Sequence, residues 1–375
     1  MIPLAWKNVI HKKVRTVVAV AGVAFSILMI FLQLGFFGSV ENTAKSVFDQ
    51  FKFDLVMISP NYRWIAETSH FPKSRIYQGE ALDEVRKIEP IFTEYSKWKN
   101  AETGMLSKLL VFGFDPRGYP FKNSEIKKNL SEIQKPDTLL IDRLSLPAFG
   151  PKDIGLKTEI ENRKISIGGQ FTWGIGFSAD GAVVMSDQNF LRLFPKKSLN
   201  NIGLALVTLQ DGVSLERGKK ILIETFPTDV DVYTRTEIGE KEFDFWLKVT
   251  ATGPMFGAGV IITFLVGMVV LYQILSTEIM DNIKEYATLK AMGYKNAYFT
   301  QTVLKHGALI AILGYLPALG LSFFLYDVTR AATNLPIYMT ETRALFVFIL
   351  SVLMCSISGY LSLGKIRLAD PGELF

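Results

Sequence analysis

A single cysteine, three histidines and no charged side chain at the centre of any long apolar run are what this chain of 375 residues does without. The cysteine, Cys355, lies inside the last apolar run, so no disulfide braces the polar part of the chain, which must be held by its own core. His11, His70 and His306 fall in three separate segments, too scattered to read as clustered metal ligands, and each is expected at a solvated or interfacial position. No Gly-x-x-x-x-Gly-Lys-Ser/Thr phosphate loop occurs. The nearest stretch, Gly212 to Lys220, has the wrong spacing and a lysine where a magnesium-binding hydroxyl is needed. The run Gly176-Phe-Ser-Ala-Asp-Gly likewise misses the spacing of a nucleophile elbow, which argues against a hydrolase.

Lack of charge in the apolar runs excludes a further class. Ion-coupled transporters and pumps keep ionisable groups at membrane depth, because the coupled ion needs a partner there. Here the deepest polar side chains are Ser26, Gln33, Gln273, Ser322 and Ser358, none of which titrates. Lys305 and His306 read as residues that reach back to the interface. Neither catalysis nor cofactor binding is expected on this chain, and its work must be powered by another.

Four runs are long enough to cross a bilayer, which takes about 20 mostly apolar residues: Val17 to Phe37, Met255 to Leu275, Val303 to Leu325 and Ala344 to Leu363. The first run exceeds the roughly 7 to 15 residues of a signal-peptide core and lacks an A-x-A site, so it reads as an uncleaved anchor. Lys7, Lys12, Lys13 and Arg15 before it place the N-terminus in the cytoplasm, and four crossings return Lys365 and Arg367 to the same side. The net charge of +5 fits attraction of these flanks to anionic lipid and needs no nucleic acid.

The organisation that follows is an α-helical membrane protein with four transmembrane helices and a large α+β domain between the first two. Residues 1–16 form an amphipathic elbow, with Ile2, Trp6, Val9 and Ile10 opposite Lys7, Asn8, Lys12 and Lys13. Spans at 17–37, 255–275, 303–325 and 344–363 are separated by an external domain (38–254), a cytoplasmic segment (277–302) and an external hairpin (326–343), with a cytoplasmic tail at 364–375. Alternating apolar stretches suggest two lobes in the external domain, the β-rich middle one at about 138–190. A strand, helix and strand between residues 203 and 233 form a split β-α-β pattern.

Two patterns carry function. From Glu278 to Gly293 an amphipathic helix, acidic early and with Lys290 late, puts Ile283, Tyr286, Leu289 and Met292 near helical spacing and ends at a glycine able to cap it. A plain connector needs only a few polar residues, so this one reads as a docking helix, with Ile283, Glu285, Tyr286, Leu289, Lys290 and Gly293 as its functional positions. Small residues recur at four-residue spacing as Gly22 and Ser26, Gly253 and Gly257, and Ser351, Cys355 and Gly359, allowing close helix approach within a subunit or across a homodimer.

The start Leu4-Ala-Trp-Lys-Asn-Val-Ile-His-Lys-Lys-Val-Arg-Thr, the segment Asn282-Ile-Lys-Glu-Tyr-Ala-Thr-Leu-Lys-Ala-Met-Gly and the tail Leu368-Ala-Asp-Pro-Gly-Glu-Leu-Phe resemble signatures of the FtsX-like, MacB-fold (type VII) permeases of ABC transporters. Within that family, Phe71-Pro-Lys-Ser-Arg-Ile-Tyr-Gln and Val111-Phe-Gly-Phe-Asp-Pro look most like the DevC permeases of cyanobacterial DevBCA exporters. The resemblance implies a homodimer in a bacterial inner membrane with its large domain in the periplasm. A separate DevA-like ATPase would bind ATP and magnesium. Motion would pass through the spans to that domain, a DevB-like adaptor and a TolC-like outer-membrane channel, with a glycolipid or other hydrophobic cargo. Two other readings stay open on sequence: a non-transporting FtsX-like regulator of cell-wall hydrolases, and a lipoprotein-releasing permease.

Overall fold

The computed structural model describes residues 13–364 apart from residues 175 and 227. The expected elbow therefore lies outside the described residues up to residue 12, as does the tail after residue 364. The described residues form two compact units. One takes those up to Gly38, Thr252–Ala331 and those from Ile337, and the other takes Ser39–Ala251 and Ala332–Pro336.

Helix α1 (Lys13–Asp49) supplies residues to both units. The second unit is built on β1 (Leu55–Ile58), β2 (Phe71–Pro72), β3 (Val85–Lys99), β4 (Leu106–Phe114), β5 (Thr138–Asp142), β6 (Lys157–Ile160), β7 (Arg163–Phe171), β8 (Gly181–Ser186), β9 (Asn201–Ile202), β10 (Leu204–Leu209) and β11 (Asp231–Thr234). Its helices are α2 (Ser74–Glu80), α3 (Ser124–Lys128), α4 (Leu130–Gln134), α5 (Asp187–Leu193), α6 (Leu215–Thr225) and α7 (Arg235–Asp244). Nine strands form one sheet in the order β11-β1-β10-β3-β4-β8-β5-β7-β6, and β2 pairs with β9 in a separate ribbon.

Strand β1 lies antiparallel between β10 and β11, so β10, α6 and β11 form a split β-α-β unit with β1 in the gap. At the other end β6 returns to pair with β3 through Trp98↔Ile160 and Lys99↔Glu159, closing β3, β4, β8, β5, β7 and β6 on themselves. The expected division into two lobes is thereby corrected. β5 to β8 share one sheet with β3 and β4, and the 15-residue β3 joins β10 through its first half and β4 and β6 through its second. Both faces of the sheet are covered. Leu55, Met57, Leu109, Val111, Val183 and Met185 belong to one core, while their neighbours Val56, Ile58, Leu110, Phe112, Ala182 and Val184 belong to another. Burial on two faces explains why these strands read as unbroken apolar runs.

The first unit continues with α8 (Thr252–Asp281), α9 (Ile283–Ala291), α10 (Asn296–Thr333) and α11 (Glu341–Ser362). α1, α8, α10 and α11 are each long and apolar enough to cross a membrane. Each differs from its expected span: α1 extends past both ends of 17–37, α8 runs on past 275, α10 starts before 303 and ends after 325, and α11 starts at Glu341. The backbone hydrogen-bond ladder of a helix does not stop where side chains turn polar. The expected hairpin at 326–343 thus shrinks to the residues between Thr333 and Glu341.

Candidate coupling surface

The segment expected as one helix from Glu278 to Gly293 divides in two. α8 carries helical geometry through Glu278 to Asp281, and Asn282, with φ −107° and ψ 17°, separates it from α9. The Asn282 side chain donates to the Glu278 carbonyl at 2.9 Å, closing the last turn of α8. α9 ends in a Schellman motif: Tyr294 N donates to Leu289 O at 3.2 Å, Gly293 N to Lys290 O at 3.0 Å, and Gly293 takes φ +89°.

Ile283, Tyr286 and Leu289 were expected as contacts for a partner. Each instead packs, with Tyr298, against a buried cluster of Ile279, Phe299, Val303 and Leu363 drawn from α8, α10 and the end of α11. The Tyr286 and Phe299 rings meet edge to face at 5.8 Å. Burial pushes the Tyr286 hydroxyl up to about 12, and the negative charges of Glu278 and Glu285 act in the same direction. The apolar stripe of α9 thus seats the helix on its own bundle. Lys290 is half-buried, and Gly293 holds the C-cap with open space around its Cα.

His306 is also corrected. It is only 7% exposed, and its Nε2 lies 3.2 Å from Glu278 Oε2, pairing α10 with α8 beside Tyr286. A lone histidine at a span end gave no sign of this, because its partner sits on another helix.

What α9 and its exit loop leave outward is Lys284, Glu285, Thr288, Met292, Tyr294 and Lys295. Met292 is 63% exposed and Tyr294 46%. Two exposed apolar side chains ringed by charges of both signs suit contact with a protein, and no group of three or more His, Cys, Asp or Glu among the described residues forms a metal site.

Most of the small residues are used inside the bundle. A Cβ on Gly22 would lie 3.1 Å from Val270, and the Ser26 hydroxyl bonds the Gly22 carbonyl at 3.1 Å. Ser351 and Cys355 are buried, Gly359 packs on Val303 and Leu304 of α10, and Gly253 is buried near the start of α8. Gly257 alone of these faces open space. A tighter approach is at Gly267, where a Cβ would come within 2.5 Å of Met354 Sδ and 2.8 Å of Ser26. Ser358 donates to the Met268 carbonyl at 2.7 Å and Gln33 to Thr263 at 3.2 Å, so two of the deep polar side chains serve as inter-helix bonds.

Residues 257–371, which hold α9 and its seat, match the family model described as FtsX-like permease C-terminal. That segment is similar to the C-terminal part of FtsX-like permeases. The matched stretch takes in most of α8 and all of α9, α10 and α11, three of them among the four helices long and apolar enough to cross a membrane. The chain is similar to the periplasmic region of MacB from Actinobacillus actinomycetemcomitans, at 10% identity and a TM-score of 0.37 over 51% of this chain and 92% of that one. It is also similar to the extracellular domain of the transporter YknZ from Gram-positive bacteria, at 9% identity and a TM-score of 0.33 over 48% and 99%. At such scores the likeness is one of outline. No curated protein matches the chain.

Proposed function

We propose that the chain is the membrane permease subunit of an ATP-driven ABC exporter, with α9 as the point where a separate ATPase bears on the membrane helices. The observation that carries this is the FtsX-like match, inside which a short helix is seated on the bundle by Ile283, Tyr286 and Leu289, beside the Glu278–His306 pair that joins α8 to α10, and turns Lys284, Glu285, Met292 and Tyr294 outward. A push on α9 would be passed to α8 and α10 together, since both contribute to its seat.

The basic flanks support cytoplasmic termini and an external sheet unit. Absence of charge at the centres of the spans favours transmission of motion over a polar path through the bilayer. The DevC-like segments support a homodimer that works with a DevA-like ATPase, a DevB-like adaptor and a TolC-like channel on a glycolipid or other hydrophobic cargo.

Affinity purification of the tagged chain from its native membrane, with mass spectrometry of what stays bound, tests the reading. An ABC ATPase and a periplasmic adaptor should be recovered. The variant carrying Glu285→Arg and Met292→Glu should insert normally and lose most of the ATPase. Equal recovery from that variant moves the contact away from α9, and recovery of no ATPase removes the exporter assignment.

A further inference from the structure

The sheet unit holds a cavity of about 290 Å³ that the permease reading leaves unused. Three parts of the fold meet there. β3 contributes Phe92 and Thr93, α5 and the loop after it contribute Phe190, Lys196 and Lys197, and the segment leading into β2 contributes His70. The β2–β9 ribbon ties the two outer parts together through Phe71↔Ile202 and Pro72↔Asn201, and Lys73 N donates to Asn200 O at 2.9 Å. These walls are therefore fixed by backbone pairing.

The chemistry of the lining is uneven. Phe92 and Phe190, ring centroids 5.8 Å apart, give an apolar floor. Lys197 is bridged to Glu94, whereas no carboxylate of the described residues lies within ion-pair distance of Lys196. Thr93 is 7% exposed and its hydroxyl has no hydrogen-bond partner among the described residues. A buried hydroxyl left unpaired is unfavourable, and a ligand oxygen would remove that cost. Burial lowers the His70 pKa, Lys197 adds to that and Glu94 opposes it. Lysine ammonium groups bind phosphate as compact point charges. The volume is at the low end of ligand pockets, about 300 to 1,000 Å³, which suits one small anion or one end of a longer molecule.

We propose that this cavity binds a phosphate-type anion, gripped by Lys196 and Lys197 at the rim and by the Thr93 hydroxyl within, with any attached carbon laid on Phe92 and Phe190. The site stands apart from the export reading and survives or fails without it. Two sources present the same chemistry: free phosphate, and the phosphorylated head group of an amphiphile.

The test is calorimetric titration of the purified full-length chain in non-ionic detergent with inorganic phosphate and, separately, with n-butyl phosphate. Saturable binding is expected. Lys196→Gln should weaken it at least tenfold, and Glu94→Gln, which frees Lys197 and removes a repelling charge, should tighten it severalfold. Thr93→Val should weaken binding without lowering the melting temperature of the unliganded protein. The His70 ring signal, identified by its loss in His70→Gln, should titrate at higher pH once the site is filled. Tighter binding of n-butyl phosphate assigns the site to an amphiphile's head group, and equal binding assigns it to free phosphate. No saturable binding of either probe, or a folded Lys196→Gln protein that binds as the parent does, overturns the proposal.

Discussion

Glu242 on α7 is fully buried, where its carboxyl receives the Ile65 N–H at 2.9 Å and the Tyr62 hydroxyl at 2.8 Å. Two hydrogen bonds do not offset the loss of water, and burial pushes its pKa up to about 8. In an unfolded chain the same group titrates near 4.3, and each tenfold gain in proton affinity on folding is worth roughly 1.4 kcal/mol. Between those values the folded protein keeps a proton that the unfolded chain has released. The stability this group contributes is therefore complete below the unfolded pKa and lost as pH rises through about 8. Glu242→Gln mimics the protonated form and should flatten the fall in melting temperature of the sheet unit between pH 5.5 and 8.5, and parallel melting curves for the two proteins would mean that Glu242 is ionised in the fold. The His306–Glu278 pair makes a second prediction at this scale: His306→Leu should destabilise the bundle by roughly 1 to 2 kcal/mol, because it leaves the half-buried Glu278 side chain without this partner. Changing both to Leu and Gln should cost less, as read by thermal melting in detergent. Neither residue announced itself in the sequence, since Glu242 is one acidic residue among several in its helix and His306 resembles any polar residue at a span end.

Among elements, features decided by near neighbours were legible. The glycine at 293 was visible as a cap because only the residues beside it decide that role. It has the geometry of one, with φ +89° and nothing within 4 Å of a Cβ. Gly293→Ala should therefore meet no clash and act through backbone strain alone, about 1 kcal/mol. Hydrogen exchange across residues 283–292 should quicken about fivefold, and unchanged exchange would mean that α9 is held by its seat and not by its cap. Pairings between distant segments were not legible. The return of β6 to β3 joins residues about 60 positions apart, and the alternating pattern that marks a strand says nothing about its partner. The same limit explains Gly267. It stands outside the four-residue repeats, yet its Cβ position is far more crowded than that of Gly22, and Gly267→Val should lower the melting temperature more than Gly22→Ala does.

On the scale of the molecule, the four membrane helices are unequally covered by their own unit. Only 17% of the apolar window of α8 is buried, against 39% for α1 and 33% for α10 and α11. Ile262, Val266 and Val269 share one outward stripe of α8 and are 60%, 53% and 58% exposed, and Gly257 lies open on the same helix. Lipid alone can cover such a stripe, so exposure by itself does not identify a partner. The proposed homodimer, however, needs a face that is not already consumed by Gly22, Ser26, Ser351, Cys355 and Gly359, and α8 is the least covered of the four helices. The lone cysteine makes this testable, because Cys355→Ser gives a background free of thiols. In that background, Val266→Cys should give a disulfide-linked dimer on mild oxidation in native membranes, whereas Leu316→Cys and Phe324→Cys, comparably exposed on α10, should stay monomeric. Crosslinking at all three positions would reflect random collision, and crosslinking only on α10 would move the dimer face there. An α8 dimer would bring two copies of α9, which follows α8 after a single residue, to one end of the interface, where under the proposed function the paired domains of an ATPase would close on both at once.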